Sequence, residues 1–203
     1  MSLFYPDRVA KTVYHPFVAT PSPIGLAHRG GGREAPENSL TAFRNAADIG
    51  FEYFETDVRA TSDGKVMVFH DANLNRVTDR VGRISALPYS EVRRAKVGGS
   101  DRVLRLEELL EEFDDKYINI DVKDDHTVEP FVRLIKQKKV GERICVGSFS
   151  ALRVRAIRSA LGTSAASSLT PPEVATLMAA SRLGPFSRLA ELGLPSNAQC
   201  VQV

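Results

Sequence analysis

The chain has no tryptophan, two cysteines and a formal charge of only +2 across its 203 residues, and each scarcity excludes something. Cys145 and Cys200 both sit in apolar runs with no C-x-x-C spacing, so two buried thiols are expected rather than a disulfide or a thiolate metal site. A near-balanced charge gives no argument for a nucleic-acid partner. No apolar run approaches the ~18 residues of a membrane span. The first thirty residues also lack the charged start and apolar core of a secretory signal. A soluble, cytoplasmic protein without a transmembrane segment is the expectation. No internal repeat or low-complexity segment stands out. Arg153, Arg155 and Arg158 fall at helical spacing and are expected on a solvated helix face.

What is present is a 43% hydrophobic composition, enough to bury the core of one domain. Short β-like runs alternate with helical ones, which predicts an α/β fold with parallel strands. Strands are expected at 24–28, 52–58, 116–123, 143–149, 164–169 and 199–203. Asn38 or Ser39 is placed to cap the first helix, whose stripe is Leu40, Phe43, Ala46 and Ala47 before Gly50. A second helix over 105–113 carries Leu106, Leu109, Leu110 and Phe113 on one side. Residues 1–23, with four prolines, are expected as an irregular leader packed across the end of a domain spanning 24–203.

The link after the second strand is too short for a parallel crossover and contains "SDGK", so 57–70 is expected as an antiparallel hairpin. With Asp63-Gly64 as a two-residue loop, Asp57 would lie directly opposite His70. The polar stretch that follows is expected as an inserted loop region, hairpin and insertion together spanning about 57–103. Six barrel-type strands in a chain of this length are fewer than the eight of a closed (β/α)8 barrel. The expectation is therefore a TIM-type barrel with a small insertion after strand 2, lacking its last one or two βα units.

Period-2 alternation puts Tyr53, Glu55 and Asp57 on one face of the second strand and Phe54 and Val58 on the other. The strand at 117–123 repeats the pattern, with Ile118, Ile120 and Val122 outward and Asp121 and Lys123 inward. Buried carboxylates must be paired, protonated or metal-bound. Three of them, Glu55, Asp57 and Asp121, form a hard-oxygen set suited to Mg²⁺ or Ca²⁺. Arg29 and Lys123 add positive charge for an anionic substrate oxygen, and His28 and His70 supply a candidate acid and base. These residues fall at the carboxyl ends of strands, where parallel barrels gather their chemistry.

The ordered motifs "AHRGGGREAPENS", "FETDVRATSDGKVMVFHDANLNRVTD", "RLEELL", "INIDVK" and "VGSF" resemble the glycerophosphodiester phosphodiesterase family over about residues 25–150. The resemblance implies a TIM barrel with an insertion after the second strand. It implies His28 and His70 as the catalytic pair and Glu55, Asp57 and Asp121 as the metal ligands. Arg29 and Lys123 match the phosphate-contacting positions, and Glu37 and Asn38 match a supporting "EN" pair. The family more often has glutamate where Asp121 stands, and its closing Trp-containing motif does not occur. The expected activity is metal-dependent hydrolysis of a glycerophosphodiester to glycerol 3-phosphate and an alcohol. Two other expectations stand beside it: a lysophospholipase-D-like phosphodiesterase, and an inactive or partner-completed fragment of such a barrel.

Overall fold

The structure, a computed structural model, describes residues 15–19, 24–181 and 198–200. Six parallel strands run in the order β1 (Leu26–His28), β2 (Tyr53–Ala60), β6 (Tyr117–Val122), β7 (Ile144–Gly147), β8 (Ala166–Ser168) and β9 (Ala198–Cys200). Helix α1 (Leu40–Asp48) connects β1 to β2. Helices α4 (Val128–Lys138), α5 (Ala151–Leu161) and α6 (Pro171–Ser181) connect the later strands. This is the alternation expected of an α/β fold of the TIM-barrel type. Of the expected last strand, residues 201–203 lie outside the described residues.

The two faces of the sheet separate as period-2 alternation requires. Phe54, Val58, Ile118, Ile120 and Val122 pack with Phe43 of α1, Phe131 of α4 and Ile157 of α5 in one apolar cluster. On the opposite face, at the amino-terminal end of the strands, Tyr53 stacks on Tyr117 with centroids 4.7 Å apart. Phe17 meets both rings edge-on. Of the expected leader, residues 1–14 and 20–23 lie outside the described residues; 15–19 form a short turn on this aromatic pair.

Ser39 caps α1, its Oγ accepting the Ala42 N–H at 3.1 Å, and Gly50 at φ 94° ends the helix. Leu106, Leu109 and Leu110 are buried on α3 (Leu106–Glu112), as their spacing predicts. Arginine on α5 departs from expectation. Arg155 is exposed, but Arg158 is buried and bonds Ser167 Oγ, the Ser168 carbonyl and the Glu173 carboxylate. Arg153 likewise reaches the Val122 carbonyl and Ser148 Oγ. A guanidinium that satisfies carbonyls at strand ends can be buried, and charge periodicity does not reveal this.

The hairpin forms, with β3 (Val66–Val68) antiparallel to β2, but its register differs by one residue from the expected one. Val58 pairs Val68 and Arg59 pairs Met67, and the Phe69 N–H donates to the Asp57 carbonyl. His70 is not opposite Asp57. The cause is the turn: Thr61 pairs Lys65 across the three residues 62–64, with Gly64 at φ 76°. A three-residue loop with glycine in the left-handed region shifts the pairing by one relative to a two-residue loop.

Residues 71–103 are more than a polar loop. Short turns, α2 (Tyr89–Val92) and a small ribbon of β4 (Lys96–Val97) and β5 (Asp101–Arg102) enclose a second core. Leu74, Ile84, Val92 and Val97 pack there against Met67 and Phe69 of the hairpin. At the ribbon's turn, Gly98 has φ 57° and lies so close to Pro36 that a Cβ would meet the ring at 2.2 Å.

Candidate active site

The site is assembled where β1, β2 and β6 end. In parallel pairing, Asp57 is the register partner of Asp121, and His28 is the partner of Glu55. After His28 the chain turns through Arg29 at φ 52° and Gly30 at φ 76°. A Cβ on Gly30 would stand 3.0 Å from the Phe43 nitrogen, so glycine lets this turn lie against α1.

Arg29 is held at three points. Its backbone N–H donates to Glu55 Oε2 at 3.1 Å, and Nη1 donates to Glu37 Oε1 at 3.0 Å. Its Nε lies 3.1 Å from Asp57 Oδ2, an ion pair without hydrogen-bond alignment. Asn38, at φ 58°, donates from Nδ2 to Asp57 Oδ2 at 3.0 Å while its Oδ1 accepts the Thr56 hydroxyl at 2.9 Å. Asn38 therefore serves the acid rather than the helix. Lys123 Nζ bridges two carboxylates, Asp57 Oδ1 at 2.8 Å and Asp121 Oδ2 at 2.7 Å. Its ammonium also lies 5.7 Å from the Phe149 ring centre.

The cationic heads of Arg29 and Lys123 lie against Asp57 and Asp121, whereas among the described residues Glu55 accepts a hydrogen bond only from the Arg29 backbone N–H. Burial, then the neighbouring Asp57 charge, pushes its carboxyl up to about 7. Burial also works against the Asp57 carboxylate, but Lys123, Asn38 and Arg29 together hold it below its ordinary value. Burial opposes the Lys123 ammonium too, and the hydrogen bonds to Asp121 and Asp57 outweigh it, raising its pKa. Among the described residues, Asp121 Oδ1 is buried with no hydrogen-bond partner.

The imidazoles are held differently. The His28 side chain is 72% exposed, with Nε2 3.6 Å from Glu55 Oε2. His70 follows β3; its carbonyl accepts Arg59 Nε at 2.8 Å, and its Nδ1 lies 2.7 Å from Asp71 Oδ1. The Asp71 carboxyl is held down at about 2, chiefly by its hydrogen bond from Arg76. An ionised carboxylate only accepts, so Nδ1 donates and Nε2 is left to accept a proton. Among the described residues no hydrogen bond or ion pair joins the two rings. His28 lines a cleft of about 670 Å³ with Arg29 and Glu37, and His70 lines another of about 450 Å³ with Arg59 and Arg76.

The structure thus brings His28, Arg29, Glu37, Asn38, Glu55, Asp57, Asp121 and Lys123 into one network, and His70 joins it indirectly. Among the described residues no three acid, histidine or cysteine groups are poised around one ion, because Lys123 occupies the space between Asp57 and Asp121. Sequence reasoning gave Asp71, Arg76 and Phe149 no role. The signal for Asp71 was its position directly after His70. Phe149 is 82% exposed at the site's edge, a position its sequence context does not disclose.

Residues 28–179 match the model of the glycerophosphoryl diester phosphodiesterase family. The chain is 36% identical over 181 residues to probable glycerophosphodiester phosphodiesterase 2 of Mycobacterium tuberculosis, covering 89% of this chain and 68% of that protein. It resembles the crystal structure of a glycerophosphodiester phosphodiesterase from Agrobacterium tumefaciens with TM-score 0.67 and 27% identity, covering 73% of this chain and 67% of that one. It also resembles an Oleispira antarctica phosphodiesterase in complex with the product sn-glycerol-3-phosphate, with TM-score 0.65 and 25% identity, over 72% and 65% of the two chains. The chain spans about two thirds of the length of these proteins. With two thirds or more of its own length matched in each comparison, the chain belongs to the glycerophosphoryl diester phosphodiesterase family.

Proposed function

We propose that the chain hydrolyses glycerophosphodiesters, with water as the second reactant and glycerol 3-phosphate and an alcohol as products. The observation that carries this reading is the meeting of Arg29, Lys123, three carboxylates and the His28 ring at the carboxyl ends of β1, β2 and β6. Arg29 is positioned to meet phosphoryl oxygens. One imidazole takes a proton from the attacking water as its oxygen bonds to phosphorus. The other delivers a proton to the alcohol oxygen as the P–O bond breaks, so protons balance.

Two observations support a divalent cation at these acids, whose binding would require Lys123 to move aside: the buried Oδ1 of Asp121, without a hydrogen-bond partner among the described residues, and the Glu55 carboxyl, which burial and then the Asp57 charge push up to about 7. Glu55, Asp57 and Asp121 would hold Mg²⁺ or Ca²⁺, which would supply charge neutralisation at the phosphoryl oxygens. Calorimetric titration of the EDTA-treated protein should give heat with Mg²⁺ or Ca²⁺ that is lost in Asp121→Asn. No heat with either ion retires the metal.

The test of the reaction is release of glycerol 3-phosphate from glycerophosphocholine. His28→Ala and His70→Ala should each lower turnover about 10²- to 10⁴-fold. Turnover unchanged in both removes the imidazoles from the mechanism.

A second reading, lysophospholipase-D-like, is favoured by one feature. Exposed Phe149 borders an apolar cleft of about 310 Å³ formed with Leu169, Pro171, Val174 and Met178, beside the Lys123 ammonium. An acyl chain suits such a surface. Phe149→Ser should then slow lysophosphatidylcholine hydrolysis and leave glycerophosphocholine hydrolysis unchanged. Equal effects on both substrates exclude this reading.

A further inference from the structure

Two catalytic imidazoles work only if each is fixed relative to the other, yet His28 and His70 sit on separate parts of the fold. His28 ends β1, whereas His70 begins the inserted unit. Gly98 packs on Pro36 and Thr41 bonds Asp101 farther from the rings, but one guanidinium joins the partner of His70 to the partner of Arg29. Arg76 donates from Nε to Asp71 Oδ2 at 2.6 Å and from Nη2 to Asp71 Oδ1 at 3.1 Å. The same guanidinium donates from Nη2 to Glu37 Oε1 at 2.6 Å and from Nη1 to Glu37 Oε2 at 3.1 Å. Glu37 in turn accepts from Arg29, and Asp71 from His70.

We infer that Arg76 is a positioning residue of the active site, gripping Asp71 and Glu37 at once and so fixing the His70 ring against the loop that carries Arg29. The catalytic consequence rests on the phosphodiesterase reading; the placement rests on hydrogen-bond geometry alone. An isolated surface ion pair would deserve no such role. Arg76 is different because its planar fork is bidentate to both carboxylates, and no lysine can reproduce that geometry. Each carboxylate it holds also orients a second group on its own side. Arg59 grips the His70 carbonyl from the other direction, so the backbone is fixed there and the ring is left to Asp71.

Three variants separate placement from stability: Arg76→Met, Arg76→Lys and, as a control for losing a surface pair, Arg133→Met, whose partner is Glu129 on the same helix. The ring state is read by long-range ¹H–¹⁵N NMR, the chain having only four histidines to assign. Wild-type His70 should show the Nδ1–H tautomer at neutral pH. Arg76→Met should give a mixture of tautomers, lower kcat about 10- to 100-fold and change KM less than about threefold. Its Tm should fall by no more than a few degrees, since Arg76 is half-exposed. Arg76→Lys keeps the charge but loses the fork, and should lose most of the same kcat. Arg133→Met should match wild type throughout. A wild-type ring spectrum and kcat in Arg76→Met overturn the inference, as does a kcat loss with an unchanged spectrum. A wild-type chain with no turnover would instead retire the phosphodiesterase reading, and the ring spectrum alone would then decide the placement.

Discussion

Lys123 is the counter-charge on which the buried acids depend, and its removal has a calculable cost. Replacing it with methionine keeps an uncharged stem of the same length, with sulfur at the δ position, and removes the ammonium. That group contacts Asp57 at 2.8 Å and Asp121 at 2.7 Å, with the lysine side chain 14% exposed. Asp57 retains Arg29 and Asn38 on its other oxygen. Asp121 is worse placed, because its second oxygen is buried and already without a hydrogen-bond partner among the described residues. The loss therefore lands on Asp121, and stripping a buried acid of its partner costs about 3 kcal/mol or more. For a chain of this size that is a Tm drop of about 6–12 °C. Urea unfolding followed by circular dichroism, in EDTA so that only the chain's own cations act, gives the number. Asp121→Asn in the Lys123→Met background should restore at least about 2 kcal/mol, a coupling readable from the double-mutant cycle. A cost under about 1 kcal/mol, or no restoration by the asparagine, would show that Lys123 is not what stabilises these acids.

Glu55 makes stability depend on pH in an unusual direction. Its folded carboxyl titrates at about 7 against an ordinary 4.5, so the proton is held more tightly in the folded chain. Below about 4.5 both states are protonated and nothing is gained or lost; stability falls as pH rises between the two values, by about 3 kcal/mol in all. Glu55→Gln should flatten the metal-free stability curve over that window, measured by chemical unfolding, and an unchanged slope counts against the assignment. At the ribbon turn, Gly98→Ala demands both a left-handed alanine and a displaced Pro36, and should cost about 2 kcal/mol or more. Hydrogen exchange should speed up across 71–103; exchange equal to wild type would mean that this contact does not latch the inserted unit.

The barrel strands and their two faces were legible because alternation in β2 and β6 is strict: Phe54, Val58, Ile118 and Ile120 could only face covering helices. Inward acids followed from the same parity. The hairpin register was not legible, since "SDG" supports a two-residue or a three-residue loop and only the left-handed Gly64 decides. The inserted core escaped notice because Leu74, Ile84, Val92 and Val97 obey no single period; four short pieces each contribute one residue. Asn38 was read as a cap or a supporting residue. Its left-handed backbone turns the side chain away from the helix and onto Asp57, while Ser39 takes the cap. Bonding among Arg29, Glu37, Arg76 and Asp71 spans segments far apart in the chain, and no local spacing announces it.

The stacked Tyr53 and Tyr117 have a practical consequence. With five tyrosines and no tryptophan in the chain, near-ultraviolet dichroism is carried by few chromophores, and two of them are held stacked and nearly parallel at 4.7 Å. Phe17 wedges against both rings and its carbonyl accepts the Tyr53 hydroxyl. The pair is thus a built-in optical reporter at the end of the barrel remote from the chemistry. Detachment of the short segment at 15–19 would register there without any label.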